Sequence, residues 1–477
     1  MKPSTPTLVS LSTIQADGSR KFVHPADVHG SFTTWRRVVA LVLLVIYIAL
    51  PWIPVNGFPA VFLDVQERRF HFFGLTLATQ DLWIGFFLVT GLAFGLFYIT
   101  ALFGRVWCGW TCPYTVFLEQ VYRRVERWID GDGTARRQLE DAPWTASKIA
   151  RRVFKHGVFI LISAAIAHVF LSYFVSIKSL YDMMKQSPTH HTLAFGVVLF
   201  LTGALYFSFS WFREQFCVIL CPYGRLQSAL TDDNSVVIGY DKIRGEPRGK
   251  GTVEKPAGDC INCRRCVQVC PTGIDIRNGL QLECIGCAAC VDACDDVMLK
   301  LKRPKGLVRH DSYKGLQGGK TKFIRSRTVF YTVILFVWIA AFSVAITRIS
   351  PLRASVVRMG GASFYVDNGM IRNQFQLRII NKRNAASTYR IQLVGNVPPS
   401  LQIIGVDQTI DLPAMGEDQK TIVLTLPQAD YKERSKFTIK VTDIARGDAS
   451  ETRVMEYLGP DPHTTPAAKL NAKDFIH

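Results

Sequence analysis

Residues 260–271 read CINCRRCVQVCP, and residues 284–295 read CIGCAACVDACD. Each run places four cysteines at the spacing C-x2-C-x2-C-x3-C, and thirteen residues lie between the last cysteine of the first run and the first of the second. Three thiols two residues apart can wrap three corners of a cubane, while the fourth, after the longer step, reaches across to another one. The spacing therefore predicts eight thiolate ligands shared between two 4Fe-4S clusters.

The same pattern is typical of bacterial two-cluster ferredoxins, in which the fourth cysteine of each run ligates the cluster of the other run. One cluster is thus predicted on Cys260, Cys263, Cys266 and Cys294, and the second on Cys284, Cys287, Cys290 and Cys270. Zinc is the alternative, but zinc ligands usually come as separated C-x2-C pairs rather than as runs of four. Asp295 stands where the first run has Pro271, which changes the local turn without removing a ligand.

Long apolar runs lie on both sides of this insert. Each is close to the ~20 residues that cross a hydrocarbon core of ~30 Å as a helix, so five membrane spans are predicted. Their bounds are Val38–Val55, Leu82–Phe103, Val153–Ile177, Leu193–Phe212 and Thr328–Thr347.

The distribution of Lys and Arg predicts how these spans are oriented, because short loops rich in positive charge stay in the cytoplasm. The N-terminal arm carries five such residues, the segment Gly104–Arg152 nine and the segment Arg213–Arg327 twenty. The loops Asn56–Asp81 and Lys178–Thr192 carry two each. The alternation predicts a cytoplasmic N-terminus, a cytoplasmic cysteine insert and a C-terminal domain on the opposite side of the membrane.

The formal net charge of +18 raises the question of nucleic-acid binding, whose footprint is a long basic patch. Most of the excess here lies in loops that flank the predicted spans, so we expect contact with membrane lipid and no nucleic-acid partner. The polar start of the chain is too long for a short secretory signal, and the first span is interpreted as a retained anchor. All twelve cysteines fall in segments predicted in or beside the cytoplasm, which suits metal-bound thiolates rather than disulfides.

A second cysteine motif occurs twice, as WCGWTCPY at residues 107–114 and FCVILCPY at residues 216–223. Each copy follows a pair of predicted spans, which suggests a duplicated unit of two spans and C-x3-C-P. A repeat axis along the membrane normal would bring the thiols of Cys108, Cys112, Cys217 and Cys221 together. Proline after the second cysteine favours a helix that begins there, with that cysteine as its N-cap. We predict one redox or metal site, which holds copper or a further cluster.

The alternative for these four thiols is inert packing, since free cysteine is often buried. The basic segment Val116–Trp128 is predicted to be an interfacial helix whose Arg123, Arg124 and Arg127 meet lipid headgroups. His156 and His168 lie in the third predicted span. With no matched histidine on another span, they are interpreted as packing or interfacial residues rather than haem ligands.

Residues 351–477 lack long apolar runs and alternate with period two instead. Four stretches show it: Phe375 to Ile379, Tyr389 to Leu393, Ile422 to Leu426 and Phe437 to Val441. Short alternating strands at regular spacing predict an immunoglobulin-like β-sandwich, here without cysteine and therefore without a bracing disulfide. We expect a partner-binding or spacer role for it.

The fold class predicted is a multi-domain α+β membrane protein with five transmembrane helices, a two-cluster 4Fe-4S ferredoxin insert and a C-terminal immunoglobulin-like β-sandwich. The predicted parts, in order, are a cytoplasmic arm at 1–35, four spans with the duplicated motif at 36–227, the ferredoxin domain at 228–327, a fifth span at 328–350 and the periplasmic β-domain at 351–477.

In this combination of spans, both C-x3-C-P motifs, cluster insert and outer β-domain, the chain resembles the cytochrome c oxidase accessory proteins called CcoG, FixG or RdxA. The resemblance covers nearly the whole chain. It implies an oxidoreductase that reduces Cu(II) to Cu(I) for assembly of a cbb-type haem-copper oxidase. It also implies copper delivery proteins and oxidase subunits as partners, and a place in a bacterial inner membrane with the β-domain in the periplasm. In either redox function, we expect a cytoplasmic electron donor to reduce the clusters.

Two other functions remain open from the residues. The cysteine motifs alone are also similar to those of the membrane quinol dehydrogenases NapH and NosR, which would pass electrons to a periplasmic partner. A non-redox scaffold that holds copper during assembly would need the C-x3-C thiols but not the clusters. The placement of the clusters between the fourth and fifth spans and the outer β-domain favour the accessory-protein interpretation.

Overall fold

The computed structural model describes residues 22–65, 69–78, 81, 83–249, 257–347, 350–383, 385–395, 398–406, 409–444, 447 and 449–460. The chain forms two compact units, one within residues 1–75 and 82–344 and the other within residues 76–81 and 345–477.

The first unit is mainly helical. Its longer α-helices are α1 (Ser31–Ala49), α2 (Trp83–Phe103), α5 (Arg123–Asp130), α6 (Gly133–Asp141), α7 (Ala146–Leu171), α8 (Ile177–Met184), α9 (Thr192–Phe207), α10 (Pro222–Leu230), α13 (Ala289–Lys300) and α15 (Ser326–Thr347). Short α-helices are α3 (Val106–Trp110), α4 (Pro113–Phe117), α11 (Lys242–Gly245), α12 (Arg265–Gln268) and α14 (Tyr313–Leu316). Turns of 3-10 helix cover Leu50–Trp52 and Ile276–Asn278, and π-helical turns cover Leu118–Tyr122, Ser208–Phe212 and Phe216–Leu220.

Within the described residues, five helices are long and apolar enough to cross a membrane. They are Ser31–Trp52, Trp83–Phe103, Ala146–Leu171, Thr192–Phe212 and Ser326–Thr347, and they correspond one to one with the five runs predicted from sequence. Their surfaces are largely unburied apolar side chains, which is what lipid-facing helices present.

Two of these helices differ from their predicted bounds because polar residues extend them. The first begins at Ser31 rather than Val38, since the carboxylate of Asp292 accepts hydrogen bonds from the amides of Phe32 and Thr33 at 3.2 and 2.7 Å. The third begins at Ala146 rather than Val153, where the Thr145 side chain caps it, and it ends at Leu171 rather than Ile177. Apolar content alone did not reveal either start, because capping residues are polar.

The cysteine insert is closed by a short antiparallel pair of strands, β6 (Val236–Tyr240) and β7 (Val308–Ser312). Its core packs Ile238, Ile276, Met298 and Leu307 against the cysteine side chains. Further short strands lie between α1 and α2: β1 (Pro54–Val55), β2 (Phe58–Pro59), β3 (Val61–Asp64), β4 (Arg69–Phe72) and β5 (Leu75–Ala78).

The second unit is a sandwich of two antiparallel sheets. One sheet has the strand order β12-β14-β10-β8, and β9 pairs with the start of β10. The other sheet has the order β13-β11-β15-β16. The strands are β8 (Leu352–Arg358), β9 (Tyr365–Asp367), β10 (Met370–Asn381), β11 (Ser387–Val394), β12 (Gln402–Ile404), β13 (Thr409–Leu412), β14 (Glu417–Pro427), β15 (Ser435–Asp443) and β16 (Ser450–Tyr457).

The alternation seen in the sequence is the alternation of burial in these strands. In β10, Phe375, Leu377 and Ile379 point into the core, and β14 and β15 contribute their alternate residues to the same cluster. The β-sandwich prediction is confirmed.

Candidate iron–sulfur and thiol centre

Four of the predicted cluster cysteines line one cavity of about 360 Å³ in the insert. They are Cys260, Cys263, Cys266 and Cys294. Tyr240, Met298 and Leu307 close its apolar side. The donor set is therefore four thiols around a small apolar space, which is the environment that a 4Fe-4S cubane requires.

The other four cysteines line a second cavity of about 330 Å³. They are Cys270, Cys284, Cys287 and Cys290, and the Cys266 side chain borders this cavity as well as the first. The grouping is the one that the spacing predicts, with the fourth cysteine of each run facing the other run's cavity. Because Cys266 borders both, the two candidate cluster sites are immediate neighbours.

The two cysteine loops share one backbone conformation. Asn262 and Gly286 occupy matched positions with φ of 59° and 69°, and Arg264 and Ala288 do so with φ of 56° and 59°. These left-handed residues curl each loop, and in the second loop the amides of Gly286 and Ala289 act on the Cys284 and Cys287 sulfurs and oppose the rise of their thiol pKa. Amide donors to sulfur stabilise negative charge on a cluster.

Burial determines the protonation of these thiols in the metal-free chain. It raises the pKa of Cys284 and Cys294 to about 12 and that of Cys266 to about 11. A metal centre must therefore displace protons from the thiols as it binds. Its positive charge then stabilises the buried thiolates.

The two C-x3-C-P motifs also adopt matched local structures. Cys112 is the N-cap of α4 and Cys221 the N-cap of α10, each with proline as the first helical residue. The expectation that these cysteines cap helices is confirmed. The upstream members, Cys108 and Cys217, are buried.

The structure brings the four motif thiols into mutual electrostatic contact. The Cys108 thiol lies close enough to those of Cys112 and Cys221 for electrostatic interaction. The Cys217 thiol lies close enough to the other three. Burial raises the pKa of Cys108 to about 11 and that of Cys217 well above its usual range. Across the described part of the chain, no three His, Cys, Asp or Glu side chains lie close enough together to hold a metal ion between them. The four motif thiols are thus neighbours that do not form a closed ligand set.

Arg105 is the residue of this site that the sequence analysis missed. Its side chain is buried at 4% exposure, and its guanidinium adjoins the Cys108 thiol and faces Cys217 and Cys284. It also donates to the carbonyl of Leu282, two residues before Cys284. The only sequence signal was its place three residues before Cys108. One cation therefore stands between the motif thiols and the second cluster cavity.

The first C-x3-C motif packs directly on the second cysteine loop. A Cβ added at Gly109 would lie 2.7 Å from the carbonyl oxygen of Ile285 and 2.9 Å from the Cα of Cys287. A Cβ at Gly286 would lie 3.1 Å from the Arg105 carbonyl. The Cys108 and Cys287 side chains share one buried cluster with Ile285. The backbone of the first motif is therefore in direct contact with the backbone of the second cysteine loop.

A buried ionic network surrounds Glu126 of α5, in the segment that follows the first motif. Glu126 binds Arg213 at 2.8 Å and Lys155 and Arg136 at 3.4 Å. Burial alone would raise the pKa of Glu126, but Arg213, Lys155 and Arg136 hold it well below its usual range.

Arg123 belongs to the same buried region. Its side chain pairs with Glu214 at 2.9 Å and with Glu119, and it donates to the Pro271 carbonyl at 3.0 Å. The expectation that Arg123 meets lipid headgroups was therefore wrong, because its guanidinium is needed to neutralise buried carboxylates.

His156 lines a cavity of about 1520 Å³ between α7 and α9. Its Nδ1 lies 3.0 Å from the Tyr206 hydroxyl. His24 lines the same cavity, with Nε2 at 2.7 Å from Glu140 and with no hydrogen-bond partner for Nδ1 among the described residues. Trp144, Phe207 and Trp211 supply aromatic walls. His168 instead bonds the Ala164 carbonyl of its own helix at 2.7 Å.

Three known families match separate parts of the chain. A "4Fe-4S binding domain" matches residues 83–130, and a "4Fe-4S dicluster domain" matches residues 212–313. Residues 342–460 match the family described as "IG-like fold at C-terminal of FixG". The first match includes Cys108 and Cys112, and the second includes Cys217, Cys221 and all eight cysteines of the insert. The chain is therefore an iron–sulfur protein with 4Fe-4S domains, suited to electron transfer.

Several curated proteins are similar over most of the chain. Protein RdxA of Cereibacter sphaeroides is 32% identical over 471 residues, which cover 94% of this chain and 96% of RdxA. Protein RdxB of the same organism is 33% identical over a match that covers 90% of this chain and 94% of RdxB. Nitrogen fixation protein FixG of Rhizobium meliloti is 38% identical over 305 residues, 61% of this chain and 57% of FixG. With both its cluster domains and its C-terminal domain matched, the chain belongs to the FixG/RdxA family.

Proposed function

We propose that this protein is a membrane-bound electron-transfer protein that reduces Cu(II) to Cu(I) at its C-x3-C thiols, for assembly of a cbb-type oxidase. Cu(II) is the substrate, and Cu(I) is the product that soft thiolate ligands favour. The observation that carries the proposal is the direct packing of Gly109 and Cys108 on the Cys287 loop, because it connects a metal-binding thiol group to a one-electron centre.

The ligands proposed for the two 4Fe-4S clusters follow the two cavities. Cys260, Cys263, Cys266 and Cys294 would hold one, and Cys284, Cys287, Cys290 and Cys270 the other. Bound clusters supply one-electron carriers, which matches the one-electron reduction of Cu(II).

The chain's own residues prepare the thiol site. Cys112 and Cys221 are the N-caps of α4 and α10 and would supply two of the sulfur ligands. Arg105 would stabilise the Cys108 thiolate that copper binding requires, because its guanidinium adjoins that sulfur. Release of protons from these thiols accompanies metal binding, so copper uptake weakens as the pH falls.

The proposed topology follows the charge distribution, with the cysteine insert in the cytoplasm and the β-domain in the periplasm. A cytoplasmic carrier would then be the donor. Copper delivery proteins and subunits of a cbb-type oxidase are the partners that this function implies.

The four motif thiols can be tested as one unit. Cys→Ser at any of Cys108, Cys112, Cys217 and Cys221 should lose most Cu(I) binding and Cu(II) reduction, and removing both members of a motif should cost little more. Iron and sulfide should stay near the wild-type content, since the proposed cluster ligands lie elsewhere. Additive half-sites, or full activity of the fourfold variant, would contradict the proposal.

The cavity between α7 and α9 favours one second candidate, exchange of electrons with a quinol. Oxidation of a quinol releases two protons and two electrons, and the cavity offers two proton-accepting pairs, His24 with Glu140 and His156 with Tyr206. Aromatic walls suit a flat ring at a membrane interface.

The two candidates are separated by supplying anaerobic, oxidised protein with a soluble quinol analogue. Bleaching of the cluster absorbance that is lost in His156→Gln and kept in His168→Gln would establish the quinol function. Absence of bleaching in the wild type would exclude it and leave a cytoplasmic donor.

A further inference from the structure

A second cleft in the helical unit is strongly basic and has no role in the chemistry proposed above. It encloses about 610 Å³ between the N-terminal arm, the start of α1 and the segment that contains α5. Six arginines line it, Arg36, Arg37, Arg123, Arg124, Arg127 and Arg136, against the carboxylates of Asp27 and Glu119. Such an excess of one charge in a concave site calls for an anion.

The buried arginines of the cleft are already held by the protein. Arg36 donates from Nε to the Gly109 carbonyl at 2.6 Å, and Arg136 donates to the Pro25 carbonyl at 2.9 Å. Arg127, at the rim, pairs with Asp27 at 2.8 Å. These contacts fix the floor of the cleft and one side of its rim.

Two further arginines have no such partners. Within the described part of the chain, Arg37 and Arg124 form no ion pair or hydrogen bond, although both line the cleft. Burial, and then repulsion from Arg37 and Arg127, lowers the pKa of Arg124. The Nε of Arg123, in a side chain only 6% exposed, is also without a hydrogen-bond acceptor. The two carboxylates of the cleft, Asp27 and Glu119, pair with Arg127 and Arg123 and leave Arg37 and Arg124 without an acceptor among the described residues.

The position of the cleft indicates where the anion comes from. Arg36 and Arg37 lie in the second turn of the first apolar helix, Ser31–Trp52. Trp35 and Trp128 flank the cleft in sequence and are 64% and 77% exposed. Exposed tryptophans beside arginines at the end of an apolar helix are typical of the headgroup layer, and basic pockets there bind anionic headgroups.

We propose that this cleft binds the phosphate group of an anionic phospholipid, with Arg37 and Arg124 as its principal ligands. Guanidinium groups match phosphate oxygens with paired hydrogen bonds. The same phosphate chemistry is offered by free inorganic phosphate, which the test below separates from lipid.

Occupancy would also brace the contact with the cysteine insert. The arm that lines the cleft bonds the insert through the Ala26 amide to the Gln268 carbonyl at 2.8 Å and through the Arg265 side chain to the Asp27 carbonyl at 2.7 Å. A phosphate that neutralises Arg37 and Arg124 removes the repulsion on the other side of that arm. Lipid binding is therefore expected to raise the midpoint temperature of thermal unfolding.

The full-length protein, purified in detergent and stripped of lipid, would be titrated with dioctanoyl phosphatidylglycerol, dioctanoyl phosphatidylcholine or inorganic phosphate. Bound lipid would be counted by native mass spectrometry and the thermal midpoint recorded from cluster absorbance. The test variants are Arg37→Gln, Arg124→Gln and their combination, with Arg124→Lys as the conservative one. Arg151→Gln is the matched control, since Arg151 is an exposed arginine near the start of α7 that does not line the cleft.

Phosphatidylglycerol should bind the wild type, Arg124→Lys and Arg151→Gln, and its affinity should fall about tenfold or more for each arginine removed from the cleft, the loss of one charge-assisted hydrogen bond. Response to the lipid alone would identify a headgroup site, and response to inorganic phosphate as well would identify phosphate itself as the determinant. Failure of the wild type to bind either one, equal binding of phosphatidylcholine, or undiminished binding by the double variant would overturn the proposal. Iron content equal to wild type would verify that the variants are folded.

Discussion

At the scale of single residues, glycine decides how closely the thiol motif approaches the cysteine insert. Gly109 has backbone atoms of Ile285 and Cys287 where its Cβ would be. Any side chain at this position would collide with backbone atoms, which cannot rotate out of the way as a side chain can. The Cys287 loop as a whole would therefore have to move away. The sequence showed Gly109 only as a spacer inside a cysteine motif, and its partner lies far along the chain.

Gly109→Ala should therefore destabilise the protein by about 1–3 kcal/mol, the usual cost of overpacking, and change the electron paramagnetic resonance line shape of the reduced protein. Gly95→Ala is the control, since a Cβ at Gly95 meets nothing within 4 Å. That change should be neutral or slightly stabilising in a helix. An unchanged spectrum and thermal midpoint for Gly109→Ala would show that the contact is not close.

Glu126 is the residue on which the buried ionic network depends. Glu126→Gln leaves Arg213, Arg136 and Lys155 with less negative charge to neutralise them, which should cost about 3–5 kcal/mol at pH 7. The pKa of Glu126 is depressed in the folded protein, so its stabilising charge is fully present above its unfolded pKa of ~4.3 and is lost only as the pH falls below that.

Thermal unfolding between pH 5 and 8 measures this. The loss in Glu126→Gln should be nearly constant across that range, while Glu417→Gln, which removes one half of an exposed pair with Arg378, should have little effect. A loss confined to the acidic end would show that Glu126 titrates near neutrality.

At the scale of elements, helix caps join parts of the chain that are distant in sequence. Asp292, in α13 of the cysteine insert, accepts from the Phe32 and Thr33 amides and from the Thr33 hydroxyl at 2.7 Å, so it caps α1. Capping by a distant carboxylate cannot be found by scanning for Ser, Thr or Asp just before a helix. The caps at Cys112 and Cys221 were predictable because the following proline marks the helix start.

Asp292→Ala should lower the stability by about 0.5–2 kcal/mol, the usual cost of a lost N-cap, and should loosen the contact between α1 and the insert. The thermal midpoint of cluster loss would report it. Asp296→Ala, one turn further along α13, removes an exposed pair with Lys300 and should change little. Equal effects of the two substitutions would argue against the cap.

At the scale of the whole molecule, the sequence was most informative where a period or a fixed spacing carries the structure. Apolar runs located all five long helices, alternation located strands β10, β11, β14 and β15, and cysteine spacing grouped the thiols as the two cavities do. Arg105, the Glu126 network and the cavity at His156 could not be predicted in this way. Each is assembled from single residues on different helices, with no local pattern.

The orientation of the five long helices in a membrane can be tested with reporter fusions. Reporter fusions after Asn56, Lys178 and Ala354 should be active in the periplasm, and fusions near Asp130 and Lys250 should be active in the cytoplasm, because the positive loops are retained. A cytoplasmic result for Ala354 would reverse the orientation and place the β-domain with the clusters.

The proposed function depends on the transfer of electrons from the clusters to copper through the motif thiols. The most direct measurement is stopped-flow oxidation of chemically reduced protein by Cu(II), with cluster absorbance and Cu(I) chelation recorded together in the wild type and in the variant with all four motif cysteines replaced by Ser. The wild type should form one Cu(I) for each electron lost from the clusters, and oxidation of the clusters should be slower by an order of magnitude or more in the variant. Equal rates in the two proteins would contradict it and place the reduction of copper at the cysteine insert itself.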